Sequence, residues 1–109
     1  MTLSGKWRIT SMALWDRSFL DMLEPAYILF DETDGGEFAF GCATGQLHCR
    51  RSEAGVTFTW QGNDEMDEAS GDGQAEIQQD GSLAGEIRFH KGDDSTFAAR
   101  PWSISSTAC

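Results

Sequence analysis

Hydrophobic and polar side chains alternate along most of this chain. Alternation with a period of two is typical of β-strands that turn one face to a dry core and the other to water. The seven alternating segments are Lys6–Thr10, Glu37–Cys42, Gln46–Arg50, Val56–Gln61, Gln74–Gln78, Leu83–His90 and Thr96–Arg100. An eighth segment, Tyr27–Phe30, is apolar at every position, which predicts a strand whose outer face is covered as well.

The predicted strands are separated by short connections that are rich in glycine. Asp34-Gly35-Gly36 and Asp80-Gly81 are typical hairpin turns, in which glycine supplies a positive φ. Connections this short exclude parallel crossovers. The sequence therefore predicts an all-β fold, an antiparallel up-and-down barrel of about eight strands, because closure removes the exposed strand edges. Residues 1–100 would form this single domain, and residues 101–109 a C-terminal tail.

One segment departs from the alternating pattern. Within Trp15–Leu23, apolar residues recur at the spacing i, i+4, i+7 and i+8, which predicts one face of a short helix between the first two strands. Asp16 is suited to cap its start, and Pro25 disfavours helical geometry just before it. The simplest interpretation is that this helix covers the core.

Successive connections of an up-and-down barrel lie at alternate ends. If no strand is skipped, one end carries the tight turns and both chain termini. The other end carries every unusual connection: the helix, the turn Cys42–Gly45, the long loop predicted at Gly62–Asp72, and the turn His90–Asp94. Binding residues on barrels are usually found in such loops, so we expect any site at this loop-rich end.

The predicted loop Gly62–Asp72 carries five carboxylates and no basic residue. A solvated acidic loop is the simplest interpretation, and cation binding is an alternative, although the spacing does not match an EF-hand. His90 would lie beside these carboxylates as a candidate general base. No catalytic set, metal ligand or cofactor can be assigned from the spacing. The candidate ligand-binding residues are Trp15, Phe19, Trp60, Asn63, Asp64, Glu65, His90 and Asp94.

Composition narrows the classes of partner. The chain carries a formal net charge of −10 with only eight Lys and Arg residues, which argues against binding to nucleic acid or to an anionic membrane. The N-terminus shows no signal-peptide pattern, and the three cysteines have no metal-like spacing. Both observations predict reduced thiols in a cytoplasmic protein.

Gly5-Lys6-Trp7 resembles the G-x-W signature of lipocalins and related calycin barrels. The resemblance implies that Trp7 plugs the closed end of the barrel and that a basic residue of the last strand, Arg100, packs over it. It also implies a ligand at the opposite end. The family's second motif, T-D-Y, is missing, and the chain is shorter than a typical lipocalin. The stretch Gly62–Asp67 also resembles a segment of small bacterial proteins, a resemblance that implies no activity.

Three functions are compatible with these features. The first is a non-enzymatic binding domain with a small molecule at the barrel mouth, which the sequence favours over an enzyme. The second is an interaction module, a homodimer or a domain for a basic protein, that uses the helix and Tyr27–Phe30. The third is a metal-dependent enzyme that uses the acidic loop and His90. The many bulky side chains predicted to point inward favour a filled barrel interior.

Overall fold

The computed structural model describes residues 4–21, 25–53, 55–90, 92 and 94–102. Within these residues, eight strands and one short helix follow one another. Their bounds are β1 (Gly5–Met12), α1 (Arg17–Leu20), β2 (Tyr27–Phe30), β3 (Gly35–Phe40), β4 (Ala43–Arg51), β5 (Gly55–Asp64), β6 (Asp67–Ile77), β7 (Leu83–Phe89) and β8 (Asp94–Pro101).

The eight strands form a closed barrel in which each strand pairs antiparallel with its neighbour in sequence. β1 and β8 close it, in a register that places Arg8 opposite Arg100 and shifts between Ile9 and Ser11. The predicted all-β, up-and-down barrel with one helix between β1 and β2 is therefore confirmed. β8 continues to Pro101, and the Trp102 amide donates a hydrogen bond to the Lys6 carbonyl at 2.9 Å, so regular structure extends past Arg100.

The barrel interior is filled by side chains. Buried aromatic rings lie directly over inward-facing glycines of neighbouring strands, where a Cβ atom would clash with them. A Cβ at Gly73 would be 2.6 Å from the Phe58 ring, and one at Gly45 would be 2.6 Å from the Phe38 ring. Small residues on one strand thus make room for large residues on the next, as close packing requires.

The predicted long loop at Gly62–Asp72 is wrong. β5 and β6 are joined instead by a tight turn at Glu65 and Met66, and the ladder runs out to the pair Asp64–Asp67. Both turn residues have positive φ, 54° and 80°, a conformation usually taken by Asn and Gly in two-residue hairpins. Because neither turn residue is glycine, the sequence carries no turn signal here, and the clustered carboxylates suggested a loop.

The helix is shorter than predicted. It spans Arg17–Leu20, so Trp15 precedes it, while Met22 and Leu23 of the predicted helix lie outside the described residues. Asp16 caps it as expected, since its Oδ1 accepts a hydrogen bond from the Phe19 amide at 3.0 Å. Leu20 is fully buried, which agrees with a helix that covers the core.

The connections sort to the two ends as the sequence predicts. The Gly41 amide donates to the Leu20 carbonyl at 2.8 Å, and the Glu65 amide donates to the Cys42 carbonyl at 3.2 Å. These bonds join the helix, the β3–β4 turn and the β5–β6 turn at one end. Among the described residues, no helix is long and apolar enough to cross a membrane.

The packing that the calycin resemblance implied for Arg100 is not found. Trp7 points into the barrel and is 3% exposed. Arg100 is exposed and pairs with Arg8, the neighbour of Trp7, on the outer face. Since adjacent residues of a strand point to opposite faces, Arg100 and Trp7 lie on opposite sides of the sheet.

Candidate functional site

A groove of about 860 Å³ lies at the loop-rich end, beside the β5–β6 hairpin and next to the β7–β8 turn. It is open to solvent, in contrast to the filled barrel interior. Polar and apolar atoms contribute about equally to its wall, and glycine, alanine and one aromatic ring form part of the apolar share. The lining residues are Gln46, Gln61, Gly62, Asn63, Asp64, Asp67, Glu68, Ala69, Ser70, Phe89, His90 and Gly92.

Strand register assembles the polar wall from three neighbouring strands. Gln46 of β4 pairs with Gln61 of β5, and Gln61 pairs with Ser70 of β6, so the three side chains form a row on the outer face. His90 continues this row: its amide donates to the Ser70 carbonyl at 2.9 Å, and its Nδ1 lies 3.4 Å from the Ser70 hydroxyl. Polar side chains with spare hydrogen-bonding capacity therefore face the groove.

Phe89 connects the groove to the hydrophobic core. Its ring centroid lies 5.0 Å from that of Trp60, 6.0 Å from that of Trp15 and 6.3 Å from that of Phe40. Trp15 in turn stacks on Phe19 at 5.9 Å. A continuous series of ring contacts thus closes the barrel mouth, and Phe89 and Ala69 of the groove wall pack against the buried core.

The eight residues predicted to bind ligand are not brought together. Asn63, Asp64 and His90 line the groove. Trp15 and Phe19 pack over the barrel mouth, and Phe19 covers Gly41, whose φ is +56°. A ligand could therefore reach the groove without displacing these two rings.

The remaining three predicted residues lie elsewhere at this end of the barrel. Trp60 is 2% exposed inside the barrel, and its indole Nε1 is buried with no hydrogen-bond partner among the described residues. Glu65 occupies the hairpin turn, and Asp94 pairs with Arg88 across β7 and β8. None of the three lines the groove.

Carboxylates dominate the electrostatics of the hairpin. Asp64, Asp67 and Glu68 are exposed, and within the described parts of the chain none of them forms an ion pair. Arg88 lies nearby but is already held by Asp72 at 2.9 Å and Glu86 at 2.6 Å. Its hydrogen bond to Asp72 raises the pKa of the guanidinium. The groove is therefore suited to a cationic ligand rather than an anionic one.

Cys42 and Cys49 have the electrostatics of unreactive thiols. Desolvation raises the pKa of the Cys42 thiol, and the neighbouring Glu65 and Asp64 carboxylates raise it further. Burial likewise raises the pKa of Cys49, which is 5% exposed. A nucleophilic cysteine needs the opposite, a lowered pKa. Among the described residues, no group of three or more His, Cys, Asp or Glu side chains is arranged to hold a metal ion.

Comparison with known proteins adds no assignment. No protein-family model, curated protein sequence or solved structure matches this chain. The candidate site is thus a groove at one end of a closed eight-stranded barrel.

Sequence reasoning missed several lining residues, among them Gln46, Gln61, Glu68, Ser70 and Phe89. The three polar strand residues Gln46, Gln61 and Ser70 occupy ordinary outward positions, and only the register between strands aligns them. The alternation does assign Phe89 to the inward face, but its position at the end of β7 makes it part of the rim. A correct hairpin prediction for residues 55–77 would have revealed the row.

Proposed function

We propose that this chain is a non-enzymatic binding domain that holds its ligand in the groove beside the β5–β6 hairpin. The single observation that carries the proposal is a concavity of about 860 Å³ at the end of a barrel whose interior is filled. Small-molecule sites commonly have volumes of roughly 300–1,000 Å³ and are lined mainly by apolar groups with a few polar ones. This groove has such a volume but a more polar wall. The Phe89 ring and the row Gln46–Gln61–Ser70 supply its apolar and polar components.

We also propose a calycin-like relationship and a cytoplasmic location for this domain. The closed eight-stranded barrel and the buried Trp7 of Gly5-Lys6-Trp7 support the relationship. Cys42 and Cys49, neither of which forms a disulfide, support a reducing compartment. A filled interior favours a ligand at the rim over the enclosed ligand that the lipocalin resemblance implied.

The test is a fragment screen by two-dimensional NMR on the ¹⁵N-labelled full chain, with small amines, amides and aromatic compounds. We expect hits to shift the amide resonances of Gln61, Ser70 and His90. The Gln61→Trp variant, which fills the groove, should lose these hits. Thr57→Trp is the matched control, because Thr57 is exposed on the same face of β5 but closer to the tight-turn end.

Two outcomes would overturn the proposal. One is the absence of any fragment binding at millimolar concentration. The other is a set of hits that Gln61→Trp leaves unchanged, or that shift resonances of the barrel core or the tight-turn end instead. Titration with calcium, magnesium and zinc remains the test of the metal-dependent alternative.

A further inference from the structure

The β6 strand extends past its neighbour on one side. β5 pairs with β6 along the whole hairpin, from Gly55–Glu76 out to Asp64–Asp67. β7 pairs with β6 only as far as Gly71–Phe89. Beyond that pair, the described residues show a single further bond on this side, from the His90 amide to the Ser70 carbonyl at 2.9 Å. Asp67–Ser70 therefore form a strand edge beside the groove.

The direction of the backbone groups on this edge follows from the register. In an antiparallel strand, the amide and carbonyl of one residue point to the same side, and the next residue's point to the other. The Ser70 carbonyl points toward β7, so the amide and carbonyl of Glu68 point the same way, past the end of β7. They face the groove, which Glu68 lines. Exposed groups of this kind are a template for an additional strand.

The charge around this strand edge favours a basic partner strand. Asp64, Asp67 and Glu68 surround it with carboxylates that have no ion-pair partner in the described chain. Two copies of this edge would bring like charges together, on a chain whose net charge is −10, which disfavours self-pairing. A strand with Lys or Arg side chains would instead meet complementary charge.

The wall of the groove suits such a strand. Phe89, Ala69 and Gly62 provide apolar surface next to the edge. Alternate side chains of an added strand would face this surface, and the aliphatic stems of Lys and Arg can cover it while their charged ends stay in water.

We infer that the ligand of the groove is an extended basic peptide segment, which adds a strand to the Asp67–Ser70 edge of β6. This inference rests on the proposed binding function and specifies its ligand. It requires recognition of the peptide backbone as well as of its charge, so the two contributions can be measured separately.

The probe is the capped peptide Ac-Lys-Val-Lys-Val-Lys-Val-NH₂, titrated into the ¹⁵N-labelled full chain. We expect saturable shifts at Glu68, Ser70 and His90. Glu68→Ala removes one charge and should weaken binding about threefold. Glu68→Pro also removes the edge amide, which faces away from β5, and should weaken binding about a further fivefold. Unchanged amide resonances outside the hairpin would show that both variants fold.

The ligand offers a control that does not depend on protein variants. The same peptide with every backbone amide N-methylated keeps every charge but can donate no backbone hydrogen bond from either edge, so it should lose binding. Equal binding of both peptides would overturn the inference, because charge alone would then explain the affinity. Absence of binding at millimolar peptide, or light scattering that shows dimers formed through this edge, would also overturn it. If fragments still bind the groove in these cases, the proposed function stands without this ligand.

Discussion

At each end of the barrel, one strand extends past its neighbour. The exposed part of that strand is covered at one end and uncovered at the other. At the tight-turn end, β4 extends past β3, and the β2–β3 turn covers the overhang: the Cys49 amide donates to the Asp34 carbonyl at 2.6 Å, and the Arg51 guanidinium donates to the Asp31 carbonyl. At the loop-rich end, β6 extends past β7 and, in the described residues, gains only the bond from His90. The protruding end of β4 is therefore covered by a turn, whereas the protruding end of β6 is left accessible.

The turns at the two ends also differ in how well their backbone is stabilised. At the tight-turn end, Asp31 accepts hydrogen bonds from the Thr33 amide at 2.8 Å and the Gly35 amide at 3.1 Å, and Asp80 accepts one from the Ser82 amide at 2.9 Å. At the loop-rich end, Glu65 and Met66 hold positive φ without being glycine, and Met66 is 97% exposed. Side-chain hydrogen bonds within the turn stabilise the β2–β3 and β6–β7 connections. The β5–β6 turn instead keeps an unfavourable backbone and an exposed side chain, features that are often found at binding sites.

The largest effect is expected from Phe89→Ala, because this ring links the groove to the core. Its removal takes away contacts with Trp15, Phe40 and Trp60. Since Phe89 is only partly buried, we expect the free energy of unfolding in urea to fall by about 2–3 kcal/mol, below the usual range for a fully buried Phe. A fall under about 0.5 kcal/mol would mean that the rim is independent of the core, because surface substitutions stay within that range.

Gly41→Ala tests how closely the helix covers the barrel mouth. Gly41 has φ +56° and lies against the Phe19 ring, so a methyl group meets both backbone strain and a clash. We expect a loss of about 1–3 kcal/mol in the free energy of unfolding. In the background of Phe19→Ala the loss should be smaller, since only the backbone strain remains. Equal losses in the two backgrounds would contradict the packing of Phe19 on Gly41.

Replacing the hairpin turn should make the loop-rich end resemble the other one. In the double variant Glu65→Asn, Met66→Gly, both residues tolerate positive φ, so we expect the free energy of unfolding to rise by about 1 kcal/mol. At the opposite end, Gly81→Ala should lower it, because Gly81 has φ 88°. A loss of stability in the double variant would show that the native turn residues make contacts that outweigh their strain.

Asp31→Ala tests the hydrogen-bonded turn through its pH dependence. Hydrogen bonds from Thr33 lower the pKa of Asp31. A carboxylate with a lowered pKa stabilises the fold above its ordinary pKa, and this contribution is lost as pH falls through the lowered value. We therefore expect the variant to melt below the wild type at pH 7, with a difference that disappears in strong acid. Asp67→Asn, at a position where the described residues form no such bonds, should show no difference at pH 7.

The smallest effect concerns the Cys42 thiol. Desolvation and the Glu65 and Asp64 carboxylates raise its pKa, so Glu65→Gln should lower that pKa and speed thiol labelling at pH 7.5 by a small factor. The measurement uses a Cys109→Ser background, in which the buried Cys49 labels slowly. An unchanged rate in Glu65→Gln would remove the Glu65 carboxylate as a cause of the raised pKa.

The fold was predictable because its signal is local. Alternation in segments such as Val56–Gln61, together with Asp-Gly turns, is sufficient to predict strands and their antiparallel order. The sorting of connections to two ends followed from that order alone. The β5–β6 hairpin was missed because turn chemistry failed there: Asp64–Asp67 lacks glycine and carries carboxylates, although its backbone adopts the two-residue turn.

The candidate groove lies at the end of the barrel where the sequence predicts a site, but most of its lining residues were not predictable. Asn63, Asp64 and His90 line the groove, but Trp60 belongs to the interior and Asp94 to a pair with Arg88. Gln46 lies on β4 and Ser70 on β6. They belong to one row only because each of them pairs with Gln61 on β5, the strand between them. No periodicity within a single segment records such a relation.

The sequence by itself determined which face of each strand is buried. Every second side chain is apolar, and a shift by one residue would turn all of these side chains to water. The sequence also determined the number of strands and the end at which the irregular connections gather. Only the tertiary structure decided that the interior is filled, since that depends on rings of one strand meeting glycines of another. Only the tertiary structure likewise decided that β6 extends past the end of β7. Whether one strand extends past another depends on the register in which the two are paired.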